Sequence, residues 1–259
     1  MLLLKYYIGN IVRAIKNRIF YLRKGKFIRD FFNEYGYKKT KPFIIHKWHH
    51  NLFLFTAIDK MNAPVFIKLT NLPRILKNEN RAYKKLLKND FLKNHVIEYK
   101  EYIKKGNHKA LVLKKSGGTV LSEDWMVENI DQLHTLIKIV DELALSSLVH
   151  RDIKADNFIF EAGNIKIFDF SFMIEKSEKG KIKEINLKSH SNMLKLIDLG
   201  VNYKPEPLKW DDYYSLFILF KKLKKNKQNS LSKEQKNILI ALIEECKEKV
   251  NTNTYTIIK

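Results

Sequence analysis

Cysteine, glycine and proline are all scarce in this sequence, and long apolar runs are missing. Its 259 residues include one cysteine, nine glycines and five prolines. Because the single Cys246 cannot form an internal disulfide, we expect a protein that folds in a reducing compartment, with this thiol in the core. No run of about 18 apolar residues is present that could span a membrane as a helix. We therefore expect a cytoplasmic protein.

Acidic residues are outnumbered by basic ones. The chain has 49 Lys and Arg against 28 Asp and Glu, a formal net charge of +21, and 45% of its residues are hydrophobic. The hydrophobic content predicts a folded chain, and the charge predicts attraction to anionic lipid, phosphorylated glycan or nucleotide. The basic residues are dispersed and follow no nucleic-acid-binding motif, so we expect no nucleic acid partner.

The first 36 residues form a basic segment with no acidic residue before Asp30. Its apolar residues recur at the spacing of an amphipathic helix, and they are Leu4, Ile8, Ile11, Ile15, Ile19 and Leu22. Such a helix can lie on anionic lipid, which would make the protein peripheral on the inner face of the cell membrane. It can equally pack against the following domain with its charges in water, and both interpretations stay open.

The stretch at 150–157, with the sequence HRDIKADN, carries the strongest chemical signal. Apolar runs at 158–160 and 165–168, separated by a Gly-Asn turn at 163–164, predict a short β-hairpin that returns Asp169 to the same place. The two motifs, HRDIKADN and the DFS that begins at Asp169, resemble the H-R-D-x-x-x-x-N and D-F-G signatures of protein-kinase-like phosphotransferases.

This resemblance implies a role for each polar residue. Asp152 accepts or orients the proton of an acceptor hydroxyl, and Lys154 stabilises charge on the transferred phosphoryl group. Asn157 and Asp169 hold Mg2+ against the phosphates of ATP. His150 is expected to support the loop structurally rather than to act as an acid or base.

Upstream, the sequence VFIKL at 65–69 resembles the kinase strand whose lysine contacts the α- and β-phosphates, which implies this role for Lys68. An ammonium group in an apolar strand needs a counter-charge. Glu79, the only acid between Lys68 and Asp90, lies in a helix predicted at 77–88 and is the expected partner.

Glycine is missing where a kinase carries its phosphate-covering loop. Strands predicted at 43–45 and 52–55 flank the sequence HKWHHN at 46–51. Its three histidines lack the carboxylate or thiol partners of a metal site. Ser171 likewise replaces the glycine of D-F-G, which leaves the carboxylate of Asp169 in place.

Two further strands, at 96–103 and 110–113, precede a break at 114–118 that ends in two glycines. The resemblance implies that this break is a hinge at which backbone groups hold adenine. The hinge residues are expected to be Leu113, Lys114, Lys115 and Ser116.

Helices are predicted at 122–148, with Ser122 as the N-terminal cap, from 210, and at about 232–249. At the start of the second helical region the resemblance implies an acid that anchors the backbone of the catalytic loop. We assign this role to Asp212, with Asp211 as the alternative. Because a single helix follows, we expect a truncated C-terminal lobe.

These features predict an α+β, two-lobed protein-kinase-like fold with a small antiparallel sheet in the N-lobe and a mainly helical, reduced C-lobe. The expected divisions are the basic segment 1–36, the N-lobe 37–113, the hinge 114–118 and the C-lobe 119–259. Lacking a glycine loop, the chain resembles compact bacterial members of the superfamily such as lipopolysaccharide core heptose and Kdo kinases.

The activity that this resemblance implies is transfer of the γ-phosphate of ATP to a hydroxyl, with Mg2+ as cofactor. The expected acceptor is a lipopolysaccharide core sugar at the inner membrane face. A protein Ser/Thr kinase is an alternative that Lys154 favours. A nucleotide-binding pseudokinase is another, favoured by the missing glycines.

Overall fold

The computed structural model describes residues 15, 19, 22–43, 52–70, 73–176 and 199–256. The chain divides into two compact units, Met1–Asn80 with Glu98–Ser116, and Arg81–Ile97 with Gly117–Lys259. None of the described helices is long and apolar enough to cross a membrane.

The first unit contains a five-stranded antiparallel sheet in the order β1-β2-β3-β5-β4. Its strands are β1 Lys38–Pro42, β2 Leu52–Ile58, β3 Pro64–Thr70, β4 Tyr99–Lys105 and β5 His108–Lys114. The first strand thus lies at 38–42, before the predicted 43–45. The glycine-free sequence at 46–51 lies outside the described residues.

A helix at residues 22–34, α1, packs on this sheet. Ile28, Phe31 and Phe32 follow helical spacing, are at most 2% exposed, and form one apolar core with strand residues such as Phe55 and Ile67. The ring of Phe32 meets that of Phe55 edge to face at 5.5 Å. This part of the basic segment therefore packs against the following domain, as the second interpretation expected.

The earlier residues of the predicted amphipathic stripe are less fully described. Leu4, Ile8 and Ile11 lie outside the described residues. Ile15, Ile19 and Leu22 are exposed large apolar side chains, with Leu22 84% exposed.

The second unit is mainly helical. Its helices are α2 Pro73–Leu86, which begins in the first unit, α3 Glu123–Glu128, α4 His134–Leu145, α5 Asp212–Asn226 and α6 Lys233–Lys249. Ser122 caps α3 by accepting from the N–H of Trp125, as the sequence predicted, and Ser232 with Gln235 forms a capping box on α6. The buried apolar residues of α4 are Leu136, Ile137, Ile139, Val140 and Leu143.

Short strands in the second unit position its loops. They are β6 Thr119–Val120, β7 Leu148–Val149, β8 Phe158–Glu161, β9 Asn164–Ile167, β10 Ile174–Glu175, β11 Lys209–Asp211 and β12 Thr254–Thr256. They pair as β6-β8-β9, β7-β10 and β11-β12. The predicted hairpin is β8-β9, whereas β12 was not predicted. The α+β fold class with a small antiparallel sheet followed by a mainly helical part is confirmed.

Candidate active site

The loop after β7 brings three of the predicted residues together. The carboxylate Oδ2 of Asp152 accepts from Lys154 Nζ at 2.6 Å and from Asn157 Nδ2 at 3.0 Å. Asn157 Nδ2 also donates to the backbone carbonyl of Asp152 at 2.7 Å. One carboxylate oxygen is thus held by a cation and an amide, while Oδ1 accepts no hydrogen bond from the described residues.

The side chain of Asn157 is oriented by these bonds. Both acceptors lie on Asp152, so the amide nitrogen is committed to donation and the amide oxygen remains available to a cation. Asn157 ends a single turn of 3-10 helix at Ala155–Asn157, and its backbone N–H donates to Lys154 O at 3.0 Å.

The β8-β9 hairpin returns Asp169 to this loop. The backbone N–H of Phe168 donates to Asn157 O at 3.0 Å, so Asp169 follows directly on a residue bonded to the loop. Asp169 has a left-handed backbone (φ 63°), an uncommon state for a residue with a side chain that is concentrated at functional sites. Ser171, at the position where the D-F-G signature has glycine, donates its hydroxyl to Asp169 Oδ1 at 2.7 Å.

His150 is fully buried, and both of its ring nitrogens lie close to backbone groups. Its Nε2 lies 3.2 Å from Phe168 O, and its Nδ1 accepts from the N–H of Asp152 at 3.3 Å. Nε2–H is therefore the donor and the ring is neutral. Burial lowers the pKa of His150, which keeps it neutral.

The carboxylate of Asp212 holds the backbone of this loop. It accepts from the N–H of His150 at 2.7 Å and from the N–H of Arg151 at 3.1 Å. Burial raises the pKa of Asp212 to about 7, against the opposing effect of these two bonds. Asp211 makes different bonds: it caps α5 through the N–H of Tyr214 and accepts from the N–H of Asn251. The loop-anchoring geometry belongs to Asp212.

Arg151 is a site residue for which the sequence reasoning gave no role. Its backbone is left-handed (φ 70°), and its Nε donates to Phe172 O at 2.7 Å. The guanidinium lies 5.0 Å from the ring centre of Trp210 and 5.8 Å from that of Tyr255. These contacts hold Arg151, the residue before Asp152, in position.

In the first unit, Lys68 and Glu79 form the predicted ion pair. Nζ and Oε1 are 2.7 Å apart, and the two side chains are 8% and 0% exposed. Lys68 lies in β3, and Glu79 lies in the second turn of α2 because that helix begins at Pro73 rather than at the predicted 77. Proline suits the first helical position, where its missing N–H is not needed.

The predicted hinge residues lie at the end of β5 and just beyond it. Leu113 and Lys114 are strand residues, and the N–H of Lys115 donates to Pro64 O at 3.0 Å. Ser116 is the last residue of the first unit. Gly118, in the second unit, has to be glycine because a Cβ there would lie 2.3 Å from Phe160 O.

Asn157 and Asp169 fit a magnesium site in which phosphate oxygens and water supply the remaining ligands. Among the described residues, no group of three His, Cys, Asp or Glu could by itself hold a metal ion. The amide oxygen of Asn157 and the carboxylate of Asp169 are hard oxygen donors, and Mg2+ is commonly bound by one or two such groups together with phosphates and water.

Sequence comparison finds no relative: no family model matches the chain, and no curated protein matches it. Solved structures do resemble it. One is the crystal structure of the PF14_0431 kinase domain, with a TM-score of 0.47 and 16% identity over 70% of this chain. This chain spans 62% of the length of that kinase domain.

The architecture of the described residues is consistent with a protein-kinase-like fold. The antiparallel sheet in the order β1-β2-β3-β5-β4 carries a lysine on β3, and a helix between β3 and β4 supplies the glutamate that pairs with it. A mainly helical unit carries the HRDIKADN loop and a hairpin that ends in Asp169.

Proposed function

We propose that this protein is an ATP-dependent phosphotransferase that moves the γ-phosphate to a hydroxyl group. The observation that supports this most directly is the arrangement around Asp152. One oxygen of its carboxylate is held by Lys154 and Asn157, and the loop that carries it is fixed by Asp212. General-base catalysis needs a carboxylate fixed in this way.

In the proposed reaction, Asp152 Oδ1 accepts the proton of the acceptor hydroxyl. The hydroxyl oxygen bonds to the γ-phosphorus of ATP as the bond between that phosphorus and the bridging oxygen of the β-phosphate breaks. Lys154 offers positive charge beside the transferred group. Its Nζ already lies 2.6 Å from Asp152, which sets its position before substrate binds.

The proposal assigns the contacts to the nucleotide and its metal residue by residue. Lys68, oriented by Glu79, provides a cation for the α- and β-phosphates, and Asn157 with Asp169 provides the oxygen ligands for Mg2+. When bound, Mg2+ neutralises charge on the phosphates. We assign the adenine contacts to the backbone at 113–116.

For the acceptor we propose a sugar hydroxyl of a lipopolysaccharide core, reached at the inner face of the membrane. The support is the net charge of +21 and the basic segment that opens the chain. A protein hydroxyl is the second candidate, because the lysine two residues after Asp152 is typical of kinases that act on proteins.

The test of the phosphotransferase proposal is transfer of labelled γ-phosphate from Mg-ATP. Asp152→Asn keeps the size of the side chain but removes the base, so we expect a loss of about 10²- to 10⁴-fold in rate. The matched control is Asp156→Asn, four residues later on the same loop and exposed. Equal phosphate transfer by wild type and Asp152→Asn would contradict the role of Asp152 as the base, and binding of ATP without any turnover would favour the pseudokinase instead.

The test of the acceptor offers lipopolysaccharide core and a generic protein substrate in separate reactions. Label on the core sugar supports the glycolipid acceptor. Label on protein alone would replace it with the protein kinase alternative while leaving the phosphotransferase proposal intact.

A further inference from the structure

The two C-terminal helices of the second unit enclose a basic cleft. It has a volume of about 680 Å³, and its lining includes Phe217 and the five lysines Lys221, Lys224, Lys225, Lys236 and Lys247. A volume of this size is typical of small-molecule sites, which run from about 300 to 1,000 Å³.

Helical spacing explains why these side chains share one cleft. On α5 the lining residues recur four and then three positions apart, at Phe217, Lys221 and Lys224, and Gln228 follows just beyond the end of the helix. On α6 they recur seven and then four apart, at Lys236, Ile243 and Lys247. The lysines thus project from two facing stripes, with Phe217 and Ile243 supplying an apolar surface between them.

The positive charge of the cleft is largely unbalanced. The one acid in its lining is Glu244, which lies 3.1 Å from Lys247 Nζ. Lys221 lies 5.0 Å from the ring centre of Phe217. No carboxylate of the described residues pairs with Lys224, Lys225 or Lys236.

Helix dipoles account for some of these lysines but not for all. Lys224 and Lys225 stand in the last turn of α5, where a cation offsets the negative end of the helix. Lys236 lies in the first turn of α6, where the helix end is already positive, and its side chain is half-buried. The charge of Lys236 therefore adds to the positive end of the α6 dipole and raises the positive potential of the cleft.

We infer that this cleft binds a compact ligand with two or more phosphate groups on a sugar. Lysines bind phosphate as point charges, and several of them around one concavity suit clustered phosphates rather than one carboxylate. Phe217 and Ile243 give the apolar face of a sugar ring a surface to contact. The ligand is either soluble or the headgroup of a lipid, and its binding does not depend on the proposed phosphotransfer.

The test is binding of three probes to the full chain at an ionic strength of about 0.15 M. The probes are fructose 1,6-bisphosphate, phosphatidylcholine vesicles with and without phosphatidylinositol 4-phosphate, and a short DNA duplex. The cleft variant is Lys224→Gln, Lys225→Gln and Lys236→Gln together. The matched control is Lys84→Gln, Lys88→Gln and Lys138→Gln, which removes the same charge from exposed positions outside the cleft. Thermal melting checks that both variants fold.

We expect at least a tenfold loss of affinity in the cleft variant and less than a twofold loss in the control. Such a loss with the soluble bisphosphate supports a free sugar phosphate, and such a loss with the phosphoinositide vesicles alone supports a lipid headgroup. Equal losses in both variants, or no binding of either sugar phosphate, would overturn the inference. Tighter binding of the duplex, abolished by the cleft variant, would replace it with a nucleic acid site.

Discussion

The buried carboxyl of Asp212 makes the stability of the loop at 150–157 depend on pH. Its pKa rises from 3.8 to about 7 in the folded protein, because burial disfavours the charged form. Since the folded-state pKa lies above the unfolded one, the protonated carboxyl favours folding. That contribution is fully present below about pH 4 and is lost as the pH rises through about 7.

We therefore expect Asp212→Asn to remove a pH dependence of stability. The amide keeps one acceptor oxygen for the loop N–H groups and loses the other, a cost that does not change with pH, and the amide does not titrate. Between about pH 5 and pH 7, the free energy of unfolding of wild type should fall relative to the variant by up to about 1.4 kcal/mol per pH unit. Urea unfolding across this range measures it. The exposed Asp131→Asn is the control, and a wild-type-minus-variant difference that stays constant with pH would contradict the assignment.

Substitutions at the Lys68–Glu79 pair distinguish its contribution to stability from its proposed contribution to phosphate transfer. Lys68→Met leaves the buried carboxylate of Glu79 without its ammonium partner, so we expect the free energy of unfolding to fall by about 3 to 5 kcal/mol. Replacing both residues, as Lys68→Met with Glu79→Leu, should restore most of that loss, because an apolar pair leaves no uncompensated charge.

Neither variant should transfer phosphate at more than a small fraction of the wild-type rate, since both lack the cation proposed for the phosphates. Chemical denaturation and the labelled-phosphate assay read out the two effects separately. Recovery of activity along with stability in the double variant would assign Lys68 a purely structural role.

At the scale of elements, strand β12 and the residue before it contact the groups that position the loop at 150–157. β12 pairs with β11, and Tyr255 places its ring beside both Trp210 and the guanidinium of Arg151. Asn253 adds a bond to Leu148 O in β7, the strand that enters the loop. The backbone geometry before Asp152 therefore depends on residues some hundred positions later in the chain.

We expect Tyr255→Ala to lower kcat about tenfold with little change in the KM for ATP, because the loop loses its packing while Lys68 and its partner are untouched. Tyr255→Phe keeps the ring and should retain activity. Thr256→Ala, on the exposed next residue, is the neutral control. A change in KM alone, at constant kcat, would show that the strand does not position Asp152.

What the sequence predicted well was local. The β8-β9 hairpin, the cap at Ser122 and the loop that joins Asp152 to Asn157 are specified by neighbouring residues, so pattern and spacing sufficed. The β11-β12 pairing was missed because each strand has three residues and the partners are far apart in sequence. Asp212 could not be distinguished with certainty from Asp211 for a related reason, because the loop N–H groups that Asp212 binds lie 62 and 61 positions earlier in the chain.

At the scale of the whole molecule, the basic segment at 1–36 contains apolar residues that are buried in the core and others that are exposed. The part at 22–34 buries Ile28, Phe31 and Phe32 in the core of the first unit, so these three side chains are not available to lipid. The residues before it carry apolar and basic side chains without any acid. If the chain attaches to anionic lipid through this segment, the contact should lie before residue 22.

We therefore expect deletion of 1–21 to abolish sedimentation with anionic vesicles while leaving the melting temperature within a few degrees of wild type. Deletion of 1–34 should instead lower stability severely, because three large apolar side chains worth about 1.5 to 3 kcal/mol each leave the core. Vesicle sedimentation and thermal melting of both deletions distinguish the roles, with uncharged vesicles as the control. Equal sedimentation of wild type and the shorter deletion would assign any lipid contact to the rest of the molecule, which carries most of the chain's net charge of +21.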